Sequence, residues 1–378
     1  MKVNIRTSVR LTTSLALAGA TVLFGLASVA SASTKHHTKK KVSAPVFKVE
    51  TPPSASITET GSTLLYPLWN IWAPAYTNKY AQVNLTTGGT GSGTGIADAA
   101  SGTVNIGSSD AYLSPSVVAA TPSLMNIPLA ISVQVIAYNI PGLHAHLKLS
   151  GTILSGIYRG TITNWNDSSI QSLNPGVTLP DLKIVALHRS DGSGDTFLFT
   201  QYLSRQDSTW ASSVAFGTTV SWPTISNSLG ENGNGGMVSG CAATPGCVAY
   251  VGISYLTSVL GGGMTYASLL NGDGSYVLPS TTTAATEAAG YAKITPANGT
   301  ISMINGRVKG GYPIVNYEYA IVNKQQSSTS TAKAVRSILE WAINPKLGNS
   351  ERFLSQVNFL PLPTKVAVAS LKQIQNIQ

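Results

Sequence analysis

The chain has 378 residues, with 24 Lys and Arg against 15 Asp and Glu, a formal net charge of +9, and two cysteines. Three of those net positives fall in the first ten residues and four more in residues 33–50, which leaves about +2 from Thr51 onward and argues against a nucleic-acid-binding face. Charged residues make up only 10% of the chain, well below the usual share of about a quarter; Ser, Thr, Gly and Asn replace them, as suits a secreted protein, and one that tolerates an acidic medium.

The chain opens on Lys2, Arg6 and Arg10, an apolar stretch from Leu11, and Ala30-Ser31-Ala32. This is the pattern of a secretory signal over residues 1–32, with the mature chain beginning at Ser33. An uncleaved anchor is the alternative, weakened by the Thr, Ser and Gly within the stretch. No cysteine stands at the leader junction to carry a lipid, and no other run reaches the length of a membrane span. The expected location is secreted or extracytoplasmic. Residues 33–55 read as a basic, disordered linker. Its Lys35-His-His-Thr-Lys-Lys-Lys41 run is a solvated tract, or a patch that leans on an anionic membrane or wall polymer. The rest is ample for two lobes with their own cores.

Beyond the linker, short apolar strands alternate with helical runs, the pattern of an α/β protein with mainly parallel sheets. Strands are expected at Ser56–Thr58, Gln82–Leu85, Ile106–Ser109, Gln134–Ile140, Ile184–Leu187, Val248–Val251 and Tyr317–Ile321. Helices are expected at Pro67–Tyr76, Ile96–Ser101, Thr152–Tyr158, Phe197–Leu203, Thr286–Lys293, Thr331–Ile343 and Asn349–Val357. No internal repeat is present.

Three of these helices begin on unusual loops. Gly61-Ser-Thr-Leu-Leu-Tyr-Pro67 offers Ser62 and Thr63 as N-caps and Pro67 for the first turn. Gly88-Gly-Thr-Gly-Ser-Gly-Thr-Gly95 meets neither the Walker pattern nor the dinucleotide fingerprint, yet it joins a strand to a helix. His188-Arg-Ser-Asp-Gly-Ser-Gly-Asp-Thr196 supplies a guanidinium, three hydroxyls, two carboxylates and two glycines ahead of an apolar helical run. Backbone N–H groups at a helix start are unpaired and lie at the positive end of the dipole, and Arg189 adds a bidentate fork. Singly, each loop reads as a capped surface helix or a linker; together they look like a shared cradle for a small oxyanion.

Other residues carry less. Cys241 and Cys247, in an exported chain, default to a disulfide closing a short turn. His144 and His146 fall in a loop with no third metal ligand in sight. Trp69, Trp72, Trp165, Trp210, Trp222 and Trp341 read as core, and Asn232-Gly-Asn-Gly-Gly236 as a further loop-to-helix turn with no assigned ligand contact. A secreted hydrolase, with Ser193 as nucleophile, His188 as base and Asp191 or Asp195 as orienter, is the competing enzyme reading. It lacks the nucleophile-elbow pattern, whose two Gly positions hold Asp191 and Asp195. A surface adhesion protein with a vestigial site is a third.

With these motifs the chain resembles the phosphate-binding protein family (PstS), the substrate-capture component of the bacterial phosphate ABC importer, and in particular its actinobacterial, mycobacterial-type members. The resemblance runs from about Glu59 to about Pro363. It rests on Glu59-Thr-Gly-Ser-Thr-Leu-Leu-Tyr-Pro67, Gly102-Thr-Val-Asn-Ile-Gly-Ser-Ser-Asp-Ala-Tyr-Leu113, His188 to Leu203, Gly230-Glu-Asn-Gly-Asn-Gly-Gly236 and Gly311-Tyr-Pro-Ile-Val-Asn-Tyr317, in that order. It implies an α/β, two-lobed periplasmic-binding-protein-like fold with a ligand cleft at the hinge, where Trp222 would be placed to report closure. Crossovers near Val135–Ile140 and Tyr312–Tyr317 would make lobe one residues 56–137 plus 315–378, and lobe two residues 138–314. It also implies a non-enzymatic, monomeric receptor, without cofactor or metal, that takes inorganic phosphate to the membrane subunits of an ABC permease. The mycobacterial-type members share the cysteine spacing but typically carry a leader-junction cysteine that this chain lacks.

Carried over position by position, the family site places Ser62, Thr63 and Leu64 as donors at the first helix start and Ser92 at the second. Arg189, Ser193 and Gly194 serve the third, with Asp191 orienting Arg189. Leu64 stands where the family has Phe, which matters little if only its N–H is used. Asp110 would be the carboxylate of the site. An ionised carboxylate accepts but cannot donate, so it takes a hydrogen bond from P–OH and repels an oxyanion without a proton, such as sulfate. The unpaired charge would cost enough for roughly a hundredfold discrimination. Arsenate shares phosphate's shape and protons and stays open. Asp195 stands where many members have Thr and the mycobacterial-type branch has Asp. Two facing carboxylates fit the phosphate monoanion, with affinity falling as pH rises above neutral; alternatively Asp195 neutralises Arg189 or caps the helix.

Overall fold

The computed structural model describes residues 46–378; the leader 1–32, the Lys35–Lys41 tract and the remainder of the expected linker up to residue 45 lie outside them. The last part of that linker departs from expectation. Asn344 Nδ2 donates to the Phe47 carbonyl at 3.0 Å, Arg336 Nε to Glu50 Oε2 at 3.0 Å and Gln82 Nε2 to the Pro52 carbonyl at 2.9 Å. Phe47 and Val49 pack against the core, so apolar anchors interleaved with polar contacts hold a stretch whose composition reads as linker.

Strands β1 (Ala55–Gly61), β2 (Val83–Thr86) and β3 (Ile106–Ser109) run parallel, with β1 in the middle. After the long β4 (Leu124–Tyr138) and the short β5 (Lys148–Leu149) come β6 (Val185–Arg189), β7 (Ser228–Glu231) and β8 (Cys247–Gly252). β6 pairs in parallel with both β7 and β8. β9 (Thr265–Tyr266) flanks β4, and β10 (Ser268–Leu270) with β11 (Tyr276–Val277) forms a small sheet on β5. β12 (Val315–Asn323) returns to the centre, giving the order β2-β1-β3-β12-β4-β8-β6-β7.

The outer strands are parallel, but the centre is not: β12 runs antiparallel to β3 and β4, and β4 antiparallel to β8. β4 pairs with β12 through Leu124–Val133 and with β8 through Gln134–Tyr138, so one strand serves two sub-sheets. The first of these halves escapes sequence reading because Pro128 interrupts it, although both halves are covered on both faces. The pairing shifts register opposite Glu318 and Tyr319, where β4 carries the extra residue Leu129, a bulge that turns β4 locally.

Helices flank this sheet. Tyr66–Thr77, Ser92–Ser101, Gly151–Tyr158, Gly194–Gln206, Thr281–Ala292 and Thr329–Ile343 overlap the expected ones. Gly233–Ala242 follows the expected loop-to-helix turn at Asn232–Gly236, starting inside it, while Thr364–Ile374 has no counterpart among the expected helices. Trp72 meets Trp69 and Trp341 edge to face on one side of the molecule; Tyr250 stacks between Phe199 and Trp222 on the other. Burying such side chains supplies about 1.5–3 kcal/mol each.

Cys241, near the end of the Gly233–Ala242 helix, is disulfide-bonded to Cys247 at the start of β8. Replacing both by Ala removes a short-loop cross-link and is expected to cost about 2 kcal/mol, read as a lower urea midpoint. A midpoint equal to that of the parent protein would mean the turn is already fixed by its hydrogen bonds.

Candidate functional site

β1, β3 and β6 end at Gly61, Ser109 and Arg189, and the segments leaving them meet. Ser62 Oγ accepts from Leu65 N at 2.9 Å, capping the turn ahead of the first helix, and donates to Asp110 Oδ1. Ser92, the first residue of the second helix, accepts from Asp110 N at 3.2 Å and reaches Asp110 Oδ2 at 3.4 Å. That helix starts at Ser92 rather than at the expected Ile96, since its glycines permit close approach. Gly93 N donates to Gly192 O at 2.8 Å, and a Cβ on Gly93 would lie 3.0 Å from Gly192 Cα.

The third loop closes over these. Ser193 caps its helix by accepting from Thr196 N at 3.2 Å. Gly194 lies directly against Asp110: a Cβ there would stand 2.3 Å from Asp110 Oδ2 and 2.5 Å from Ser92 Oγ. Arg189 is buried, its Nε donating to Asp191 Oδ1 at 2.6 Å, its Nη2 to Asp191 Oδ2, and its Nη1 to Asp195 Oδ2 at 3.1 Å. Thr63 Oγ1 accepts from Asn234 Nδ2 at 3.0 Å. Leu64 buries its side chain in the core, while its carbonyl accepts from Ser254 Oγ at 2.8 Å. The structure thus brings Ser62, Thr63, Leu64, Ser92, Asp110, Arg189, Asp191, Ser193, Gly194 and Asp195 into one junction.

Several groups there were not singled out from sequence. Asn234, at the start of the Gly233–Ala242 helix, donates to Asp195 Oδ2 at 2.6 Å and accepts from Gly252 N at 2.8 Å. Gln134 on β4 donates to Asp195 Oδ1 at 3.0 Å. Tyr250 OH accepts from Arg189 N at 2.7 Å and bonds Thr196 Oγ1 at 2.8 Å. Glu318 on β12 is wholly buried, with Asn316 Nδ2 donating to its Oε1 at 2.9 Å and Ser132 Oγ donating to the same oxygen. The available signals were an Asn inside a glycine-rich turn and an acid inside the apolar run Val315–Asn323.

Arg189 is the cation shared by Asp191, Asp195 and Asp110. Burial, then the Asp195 charge, pushes Asp110 up to about 7 against the pull of Glu318, Ser62 and Arg189. Burial also raises Asp195 despite Arg189, and raises Glu318 well above the carboxylate range with help from Asp110. Asp191 is the exception: burial works against its charge, but the hydrogen bonds and charge of Arg189 hold it below the usual range. Among the described residues no three His, Cys, Asp or Glu side chains converge to hold a metal ion. The hydrolase trio is not assembled: Ser193 is spent as a helix cap, and His188 stacks on Trp222 at 4.8 Å with its Nδ1 3.1 Å from the Arg189 carbonyl. His146 bonds the Tyr266 carbonyl at 2.7 Å.

A model of the PBP superfamily domain matches residues 48–346. The chain is 32% identical over 332 residues to the phosphate-binding protein PstS of Xylella fastidiosa, covering 86% of this chain and 87% of that protein. It is 29% identical over 318 residues to the phosphate-binding protein PstS 2 of Mycobacterium tuberculosis, covering 80% and 82% respectively. The solved phosphate-binding protein of Stenotrophomonas maltophilia aligns with a TM-score of 0.62 at 21% identity, over 84% of this chain and 93% of that one, and speaks for the fold.

The raised carboxyls fix how stability varies with pH. Glu59, buried beside Ser108, is pushed up to about 8 by burial. A carboxyl whose folded value lies above its unfolded one contributes its full stability at low pH and loses it as pH rises through the folded value. The ligand-free protein is therefore expected to melt higher near pH 5 than near pH 8.5, by about 5 °C, with Glu59→Gln shrinking the difference. Equal melting temperatures at the two pH values would contradict this.

Proposed function

The chain belongs to the PstS family of phosphate-binding proteins, within the PBP superfamily, and on that footing we propose that it captures inorganic phosphate between two lobes and delivers it to an ABC importer. The lobes are residues 56–137 plus 315–378 and residues 138–314, a division supported by the two pairing partners of β4. The protein acts as a monomeric, extracytoplasmic receptor and not as an enzyme; among the described residues no helix is long and apolar enough to cross a membrane.

The observation that carries this reading is a carboxylate held inside an anion cradle. The Ser62 and Ser92 hydroxyls and the backbone N–H groups at the Ser92 and Gly194 helix starts supply donors around Asp110, with the Arg189 charge near it and the Thr63 hydroxyl in the same junction on Asn234. Phosphate oxygens exchange these internal contacts for their own, while Asp110 accepts a P–OH proton that sulfate does not possess. Asp195 supplies a second acceptor, with Gln134 and Asn234 fixing its oxygens. Two acid acceptors against one Arg189 favour the monoanion. Asp191 keeps the guanidinium oriented.

Calorimetry on the ligand-stripped protein tests this. Phosphate is expected to bind one to one and at least about tenfold more tightly near pH 6 than near pH 8.5, since a linked proton changes affinity about tenfold per pH unit, and sulfate to give no signal. Asp110→Asn is expected to narrow the phosphate-to-sulfate ratio by about a hundredfold. Gly194→Ala, whose methyl would overlap Asp110, is expected to weaken phosphate at least about tenfold. Absence of phosphate binding at both pH values would sink the reading, and arsenate binding as tightly as phosphate would broaden it.

A further inference from the structure

Glu318 is completely buried on β12, and both of its donors, Ser132 and Asn316, reach the same oxygen, Oε1. Oε2 is buried with no hydrogen-bond partner, and Asp110 is the side chain beside Glu318 left to meet it, with Asn316 Nδ2 bridging the two residues at 2.9 Å from Glu318 Oε1. The same stretch of β12 is tied to the end of β3 by Asn316 Nδ2, which reaches the Asp110 carbonyl at 3.3 Å. Two carboxyls in contact with no cation between them hold together only if one proton lies between them.

We propose that Glu318 is a positioning residue for ligand recognition: it keeps its proton, donates it from Oε2 to Asp110, and thereby holds Asp110 as an ionised acceptor aimed at the ligand. This rests on the phosphate reading for its functional consequence, though not for the proton itself. The proton belongs to Glu318 because the environments differ. Asp110 has the Ser62 and Ser92 hydroxyls on its oxygens and feels Arg189. Glu318 has donors on one oxygen only, and burial together with the Asp110 charge pushes it well above the carboxylate range. The charged groups facing the pair are Asp195 and Arg189 on the third loop and its helix, with the Tyr319 phenol on the same strand raised well above its ordinary value by burial.

The pair carries one negative charge while Glu318 is protonated and two once it ionises. Anion affinity then falls in alkali for a reason that belongs to the protein and is separate from the ligand's own titration. Glu318→Gln fixes the donor permanently, because its carbonyl can still accept from Ser132 and Asn316 while its N–H points at Asp110. Phosphate calorimetry on the mature chain between about pH 6.5 and pH 9 is expected to show the alkaline loss of affinity reduced at least about fivefold in this variant. In the ligand-free parent protein with carbon-13-labelled glutamate carboxyls, the Glu318 resonance is expected to hold its protonated position at neutral pH. Identical alkaline losses in the two proteins, or an ionised Glu318 resonance at neutral pH, would overturn the proposal. If Glu318→Gln does not fold, the resonance, assigned by elimination with Glu59→Gln, Glu287→Gln and Glu340→Gln, decides alone. A parent protein that fails to bind phosphate would refute the phosphate reading, whereas the resonance would still report on the Glu318 proton.

Discussion

Arg189 is buried at the end of β6 with Asp191 filling its fork and Asp195 against its remaining nitrogen, and a cation so placed dictates much of what surrounds it. A guanidinium cannot shed its proton to escape burial, so its partners must supply the compensation. Asp191 does so completely enough to stay ionised. Asp195 and Asp110 then compete for what remains, and the balance left over is negative. The junction answers by raising its carboxyls, Asp110, Asp195 and above all Glu318, so that a proton held among them offsets part of that charge. A cradle for anions that is itself acid-rich makes physical sense only for a ligand that arrives with hydrogen.

Neutral groups keep this arrangement in place. Gln134, Asn234, Asn316 and Tyr250 come from β4, the Gly233–Ala242 helix, β12 and β8, and each fixes a charged neighbour or the backbone beside it. Amides and phenols can do this inside a protein without adding to the charge that must be compensated. They also couple the site to the sheet, since three of the four stand on strands of its centre.

Much of this was legible in the sequence, and what was not has identifiable causes. The loops at Gly61, Gly88 and His188 announced themselves because helix capping and glycine spacing are local rules, and the donors they carry converge in space. The antiparallel centre was only half visible: β12 and the end of β4 show as apolar runs, but Pro128 breaks the Leu124–Val133 stretch, and strand direction is not encoded locally. Glu318 was passed over because its role depends on Asp110, far away in sequence, and on a bulge that no local pattern encodes. Asn234 sat within a turn that drew notice, yet its target, Asp195, is a tertiary neighbour. Residues 47–52 failed in the opposite direction, their composition suggesting freedom where Arg336, Asn344 and Gln82 hold them.

The divided loyalty of β4 bears on how such a molecule can be altered by descent or by design. Its first ten positions complete one sub-sheet and its last five open the other, so neither half of the protein can be cut out as a module without stripping a strand from its companion. Recombination that exchanged one half for a foreign counterpart would have to import a β4 matching two partners in register at once, since a slip of one residue turns every side chain to the wrong face. Gln134 sits at the changeover and would lose its aim at Asp195. Novelty in this scaffold is thereby steered away from shuffling of halves and toward point changes in the loops that crown the sheet.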